Sequence, residues 1–177
     1  VRNASVRIFV QLLVASGEQL MQSSWGIVLK AAPISLLRDY LKALQNSKNE
    51  RASLEATSAY LTEGTTKLIR EHMKSITMDP SFGDVWRGMV EIFEAEMRLH
   101  SPKMYALAFD GLSALLEALS GVDIDRQEFV KDSLRLWASH PLPVSDGEPD
   151  KPNQAAIASH AAMFDVAYQT SSTAVQG

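Results

Sequence analysis

The 177-residue chain contains no cysteine. That excludes disulfide staples, a thiolate nucleophile and any cysteine-ligated metal. It also fits a reducing compartment, so the chain is expected to be intracellular. Long apolar runs are missing too. Each is broken within a few residues by Arg, Gln, Glu or Lys, well short of the roughly 18 needed to cross a bilayer. No signal peptide is recognisable. An excess of positive charge is absent: 17 Lys and Arg stand against 21 Asp and Glu, a net −4, which argues against nucleic-acid binding. Also missing are a glycine-rich phosphate loop and a Gly-x-Ser-x-Gly elbow. The chain is therefore expected to be no enzyme, with no catalytic, cofactor-binding or metal-ligating residues and no cofactor.

What remains is ordinary globular material, 46% hydrophobic and 21% charged. Charge is unevenly spread. Up to Lys48 there are six bases (Arg2, Arg7, Lys30, Arg38, Lys42, Lys48) against two acids, and the remainder is acidic. Such a basic stretch can touch an anionic membrane or an acidic partner, or form a solvated helix surface. Val1-Arg2-Asn3-Ala4 reads as the inside of a helix, which suggests a fragment. Asn3-Ala4-Ser5 matches a glycosylation sequon, best read as chance on a helix without a secretory signal.

Helical periodicity runs almost throughout. Ile8, Phe9, Leu12 and Leu13 share one predicted face of a first helix that Gly17 stops. Ser23 or Ser24 can cap a second, with Trp25, Val28, Leu29, Ala32, Leu36, Leu37, Tyr40, Leu41 and Leu44 facing inward. Pro33 inside it predicts a kink or brief break. Ser47-Lys48-Asn49-Glu50 has the form of a capping box opening a helix to about Met73, weakened by Gly64. Asp79-Pro80-Ser81 starts a fourth, with Ser81 and Asp84 as a second possible box and Val85, Trp86, Met89, Val90, Phe93 and Met97 as its stripe. Ser101-Pro102 is a clean start for a fifth, which carries Tyr105, Ala108, Phe109, Leu112, Leu115, Leu116 and Leu119 and ends at Gly121. Residues 125 to 140 form a sixth, with Phe129, Leu134 and Trp137 inward.

The expected organisation is all-α: a HEAT/armadillo-like array of about seven antiparallel helices. Residues 1–140 form the helical-repeat segment and 141–153 an acidic, proline-rich loop. Residues 154–170 form a final packing helix, and 171–177 a disordered tail. Periodicity alone does not separate an open stack from a closed bundle.

Few residues invite chemistry. Glu91, Glu94 and Glu96 cluster on one helix, and paired carboxylates can trade protons or hold a metal. A solvated face explains them better. With His100, Glu91 and Glu94 would be the candidates if the chain were a small helical-bundle enzyme or ligand carrier. His72, His100, His140 and His160 fall in no metal-binding spacing, and His100 and His140 suit helix ends. Residues 121–125 with Glu128 faintly resemble a calcium loop, but the spacing fails and capping accounts for them. Trp25, Trp86 and Trp137 read as packing residues.

Three stretches suggest a family. They are Val1-Arg2-Asn3-Ala4 to Leu13 with Ser16-Gly17, Leu20 and Trp25; Glu55-Ala56-Thr57, Leu61-Thr62-Glu63-Gly64 and Leu68 with Phe82 and Trp86; and Ser101-Pro102-Lys103 to Ala108 with Gly111-Leu112 and Leu115-Leu116. Their order, over about residues 1 to 140, resembles the C-terminal half of the Mon-two trafficking scaffolds, relatives of the large Arf guanine-nucleotide exchange factors. The regulatory arrays of those exchange factors are the second resemblance. The resemblance implies a non-enzymatic scaffold or regulatory segment on Golgi and endosome membranes, with a dopey-family protein and an Arf-like GTPase as partners. No site residue carries over. The 141–153 loop has no counterpart in the family.

Overall fold

The computed structural model describes residues 2–20, 22–46 and 50–140. The 141–153 loop, the 154–170 helix and the 171–177 tail of the sequence reading, with His160, lie outside the described residues. The fold is all-helical, with no strand among the described residues. Every expected helix that falls on described residues is present. The chain divides into two compact units, one from Val1 to Ile92 and one from Phe93 onward. Among the described residues no helix is long and apolar enough to cross a membrane.

In the first unit, α1 (Arg2–Ser16) leads through short 3-10 turns to α2 (Trp25–Leu29). Ser24 stands in the N-cap position, but its backbone is already helical and its side chain makes no capping bond. Pro33 does not break this helix. Residues Lys30–Ile34 widen into a π turn that runs on into α3 (Ser35–Asn46). Proline lacks the N–H that an α turn needs and its ring collides with the turn before it; a wider turn relieves both problems. Val28, Ala32 and Leu36 are half-buried, while Trp25, Leu29, Leu37, Leu41 and Leu44 form the core face.

Ser47, Lys48 and Asn49 of the expected capping box lie outside the described residues, and Glu50 caps α4 (Arg51–Glu71) without a side-chain bond. The helix stops two residues earlier than predicted. A turn at His72 separates it from the short α5 (Met73–Ile76).

α4 packs against both α1 and α3. Arg7 lies over the Tyr60 ring, Val10 meets Gly64, and Gly17 meets His72. These pairs advance together along both chains, so α1 and α4 run parallel. Trp25 stacks on His72 at the end of α4, while Asn46 leads back to the start of α4. The α2–α3 helix therefore runs the opposite way. α6 (Phe82–Met97) approaches it closely at Gly88, where a Cβ would sit 3.3 Å from Ile34 Cγ2. Salt bridges Lys30–Asp84 (3.2 Å) and Arg38–Glu91 (2.6 Å) flank this approach. Both are exposed and contribute little to stability.

α1 departs from its predicted face. Val6 and Val10 are buried and Phe9 and Leu13 half-buried, while Ile8 (58% exposed) and Leu12 (61%) point outward. Gln11 is the single polar residue from Ile8 to Val14. A helix apolar all round has no face that periodicity can single out.

In the second unit, α7 (Pro102–Ser120) begins as expected. The Ser101 hydroxyl accepts from the Met104 N–H, with Pro102 at the first position. Its whole predicted stripe is buried. α8 (Gln127–Ser139) is out of phase with its predicted stripe. Val130, Ser133 and Leu136 are buried, whereas Phe129, Leu134 and Trp137 are only half-buried. Ser133 fits inside because its hydroxyl donates to the Phe129 carbonyl at 2.8 Å, leaving no orphan donor.

Gly64 explains itself in this fold. A Cβ there would lie 2.3 Å from Val10 Cγ1. Valine is stiff about χ1 and cannot swing aside. Gly64→Ala is therefore expected to lower stability by about 1–3 kcal/mol, against the roughly 1 kcal/mol that helix propensity alone would add. In a Val10→Ala background the sign should reverse. Urea denaturation of the four proteins measures both effects.

Candidate functional site

Two places in the first unit bring polar and apolar groups together in a way the sequence does not advertise. One is a buried latch, the other an open groove.

The latch centres on Asp79, which is 5% exposed. The turn after α5 aims its carboxylate at the start of α2. Oδ2 accepts from the Gly26 N–H at 2.8 Å, across 53 residues of chain. Oδ1 accepts from the Ser81 N–H at 2.8 Å and the Ser81 hydroxyl at 2.7 Å. The predicted Ser81–Asp84 capping box is therefore not formed as such. Ser81 gives its hydroxyl to Asp79, and Asp84 pairs with Lys30 and Arg87. Gly26 is required by closeness, since a Cβ there would stand 1.7 Å from Ser81 Oγ. Beside the latch, the His72 ring stacks on Trp25 with centroids 4.9 Å apart, and Gly17 leaves it room. The contacts of Asp79 join two elements far apart in the chain, the arrangement of a structural clamp.

Burial pushes the Asp79 carboxyl up. The amide of Gly26, the amide and hydroxyl of Ser81 and the charge of Lys30 outweigh that, so its pKa falls below the usual 3.8.

The groove runs between α1 and α4 and encloses about 430 Å³. α1 supplies Val10, Gln11, Val14 and Ala15; α4 supplies Tyr60, Glu63, Gly64 and Lys67. Its floor is the Val10–Gly64 approach, and its rim carries the charges. The Arg7 guanidinium lies 5.3 Å above the Tyr60 ring, and Lys67 Nζ is 3.8 Å from the Glu71 carboxylate. By the helix period, Ile8 and Leu12 lie beyond Ala15, about 160° around α1 from Val10, and form an exposed apolar pair on the outer side of that helix. Volume and lining fall in the range of sites that receive apolar groups.

The carboxylates singled out from sequence do not converge. Glu91 is exposed and bound to Arg38; Glu94 is bound to Arg98; Glu96 is fully buried. Glu94 and Glu96, two residues apart on a helix, point to nearly opposite sides. His100 is exposed beyond the end of α6, in the left-handed region at φ 53°, just before the Ser101 cap. His140 caps α8, its Nδ1 3.2 Å from the Leu136 carbonyl and 3.0 Å from Ser139 Oγ. Its own carbonyl accepts from the Tyr105 hydroxyl at 3.2 Å; burial raises the pKa of that tyrosine to about 12, so it remains a donor. Asp125 accepts from the Gln127 N–H at 3.1 Å, as a local cap does, and Glu128 is exposed. Trp25 and Trp86 are buried and Trp137 half-buried. Among the described residues no group of three His, Asp or Glu is arranged to hold a metal ion. The basic stretch is partly neutralised, since Lys30 and Arg38 are both paired with carboxylates of α6.

Comparison with protein-family models, with curated proteins and with solved structures found no match for the chain.

Asp79 binds a proton less readily in the folded chain than in the unfolded one. Its stabilisation is thus complete above the unfolded value near 3.8 and is lost as pH falls through the lower folded value. Asp79→Asn should lower stability by about 1–3 kcal/mol at neutral pH, because an amide nitrogen then faces one of the donors. The gap between variant and wild type should close in strong acid. Chemical denaturation across pH 2–7 reads both; a gap that widens towards acid would contradict the assignment.

Proposed function

We propose that this chain is a non-catalytic scaffold segment that works by binding protein partners, part of a large Golgi–endosome trafficking protein of the Mon-two type. The observations that carry the binding role are the α1–α4 groove and the exposed apolar pair on the outer side of α1, Ile8 and Leu12. Apolar surface held open on folded helices is what protein-binding surfaces use.

A HEAT/armadillo-like arrangement is supported by the course of the first unit. α1 and α4 lie side by side and parallel, and the proline-containing α2–α3 helix returns between them in sequence. Stacked helix pairs place equivalent helices this way, each pair burying one face of the next. α1, apolar on both sides, has the character of a helix covered from two directions. The trafficking assignment, and with it the dopey-family protein and the Arf-like GTPase as partners on Golgi and endosome membranes, is supported by the three sequence stretches alone.

The chain, immobilised and exposed to cell extract, should retain Golgi or endosomal trafficking proteins identifiable by mass spectrometry, a dopey-family protein or an Arf-like GTPase among them. Retention of none of these would sink the trafficking reading.

A further inference from the structure

Seven prolines stand in the chain, and only Pro102 follows a serine or threonine. The Ser101-Pro102 pair opens α7, in the second unit. His100, Pro102 and Lys103 are exposed and Ser101 is half-buried. Proline drives the residue before it out of the helical region, and Ser101 is extended, with φ −106° and ψ 116°. Its hydroxyl oxygen accepts one long bond, from the Met104 N–H at 3.5 Å, and its proton goes to no group among the described residues. Other hydroxyls differ. Those of Ser120, Ser133 and Ser139 donate to carbonyls of their own helices. Ser81, with an acid three residues on, donates to Asp79, and a Cβ on Gly26 would lie 1.7 Å from its Oγ, so no phosphate fits there.

From this we infer that Ser101 is a phosphorylation site for a proline-directed kinase, and that the phosphate fastens the start of α7. Ser101 Oγ attacks the γ-phosphorus of ATP. The bond from that phosphorus to the bridging oxygen breaks, ADP leaves, and the hydroxyl proton passes to the catalytic carboxylate of the kinase. A kinase cleft takes its substrate segment extended. Ser101 already has that backbone, and the first turn of α7 has only to fray, as helix ends do. His100, in the left-handed region at φ 53°, loses strain as it straightens. Once attached, the phosphate brings roughly two negative charges and three acceptor oxygens to the positive end of a 19-residue helix. The Lys103 and Met104 amides there have no acceptor within the helix, and Lys103 adds a cation two residues on. Shorter, charge-assisted bonds then replace the long serine cap. Whether the chain binds trafficking proteins does not bear on this site.

The whole chain, incubated with a mitogen-activated protein kinase, ATP and magnesium, should take up one phosphate on Ser101, read by mass spectrometry. Ser101→Asn keeps a capping side chain but offers no hydroxyl. Pro102→Ala keeps the hydroxyl without the proline. Neither should take up phosphate at position 101. In the phosphorylated chain the Met104 amide should exchange with deuterium about tenfold more slowly than in the unmodified one. The dianion is the better acceptor, so folding lowers the second pKa of the phosphate. The added protection should therefore be full above about pH 6 and shrink as pH falls below it. No phosphate on Ser101, uptake that persists in Pro102→Ala, or a Met104 amide that exchanges no more slowly after modification would each overturn the inference.

Discussion

A buried carboxylate is costly unless hydrogen bonds compensate its lost hydration, and in the first unit Asp79 is compensated by donors from two elements. Its two oxygens take three donors from two places far apart in the chain, and in doing so they fasten the start of α2 to the turn before α6. The N-terminal amides of α2 have no partner within their own helix, so the carboxylate meets a need on each side. The latch also explains why Gly26 follows Trp25. The indole fills the core and stacks on His72, and the next residue must be bare for Ser81 to come close. With α2 held at its first turn and tied to α4 through its continuation in α3, the returning helix is fixed at both ends. The parallel placement of α1 and α4, and the groove between them, depend on that.

How much of this could be read from the residues differs from helix to helix, for physical reasons. α7 was legible in full, because a capping serine, a first-turn proline and a clean apolar stripe all point the same way. α8 was legible as a helix but not in phase. Its interior includes Ser133, and a stripe drawn through apolar residues alone steps past a hydroxyl that is satisfied within its own turn. α1 could not be phased at all, because apolar residues surround it. That failure carries information, since it marks the helix that keeps an apolar pair, Ile8 and Leu12, exposed on its outer side.

The site was less legible than the fold. Of the carboxylates and histidines that chemistry would single out, Glu91 and Glu94 are in surface ion pairs, His140 caps α8, and Glu96 is core. The latch depends on a contact across 53 residues, which no local pattern reports. Two signals were nonetheless present: glycines inside otherwise regular helices, at 26 and 64. Gly64 looked like a weakness in helix propensity, and both mark places where another element comes within van der Waals reach. The basic stretch up to Lys48 shows the opposite effect. Its excess is evident by counting, yet α6 neutralises two of its members.

The π turn at Lys30–Ile34 holds one residue more than an α turn would. Every residue before it is therefore rotated by about 100° relative to where an unbroken α-helix would put it. Trp25 and Leu29 share a core with Leu37 and Leu41 only because of that extra residue. The spacing from Trp25 to Leu37 is thus as much a part of the fold as the identity of either residue. Relatives of this chain could exchange side chains along the helix, yet a change of length there by a single residue would turn the tryptophan out of the core and pull Gly26 away from Asp79.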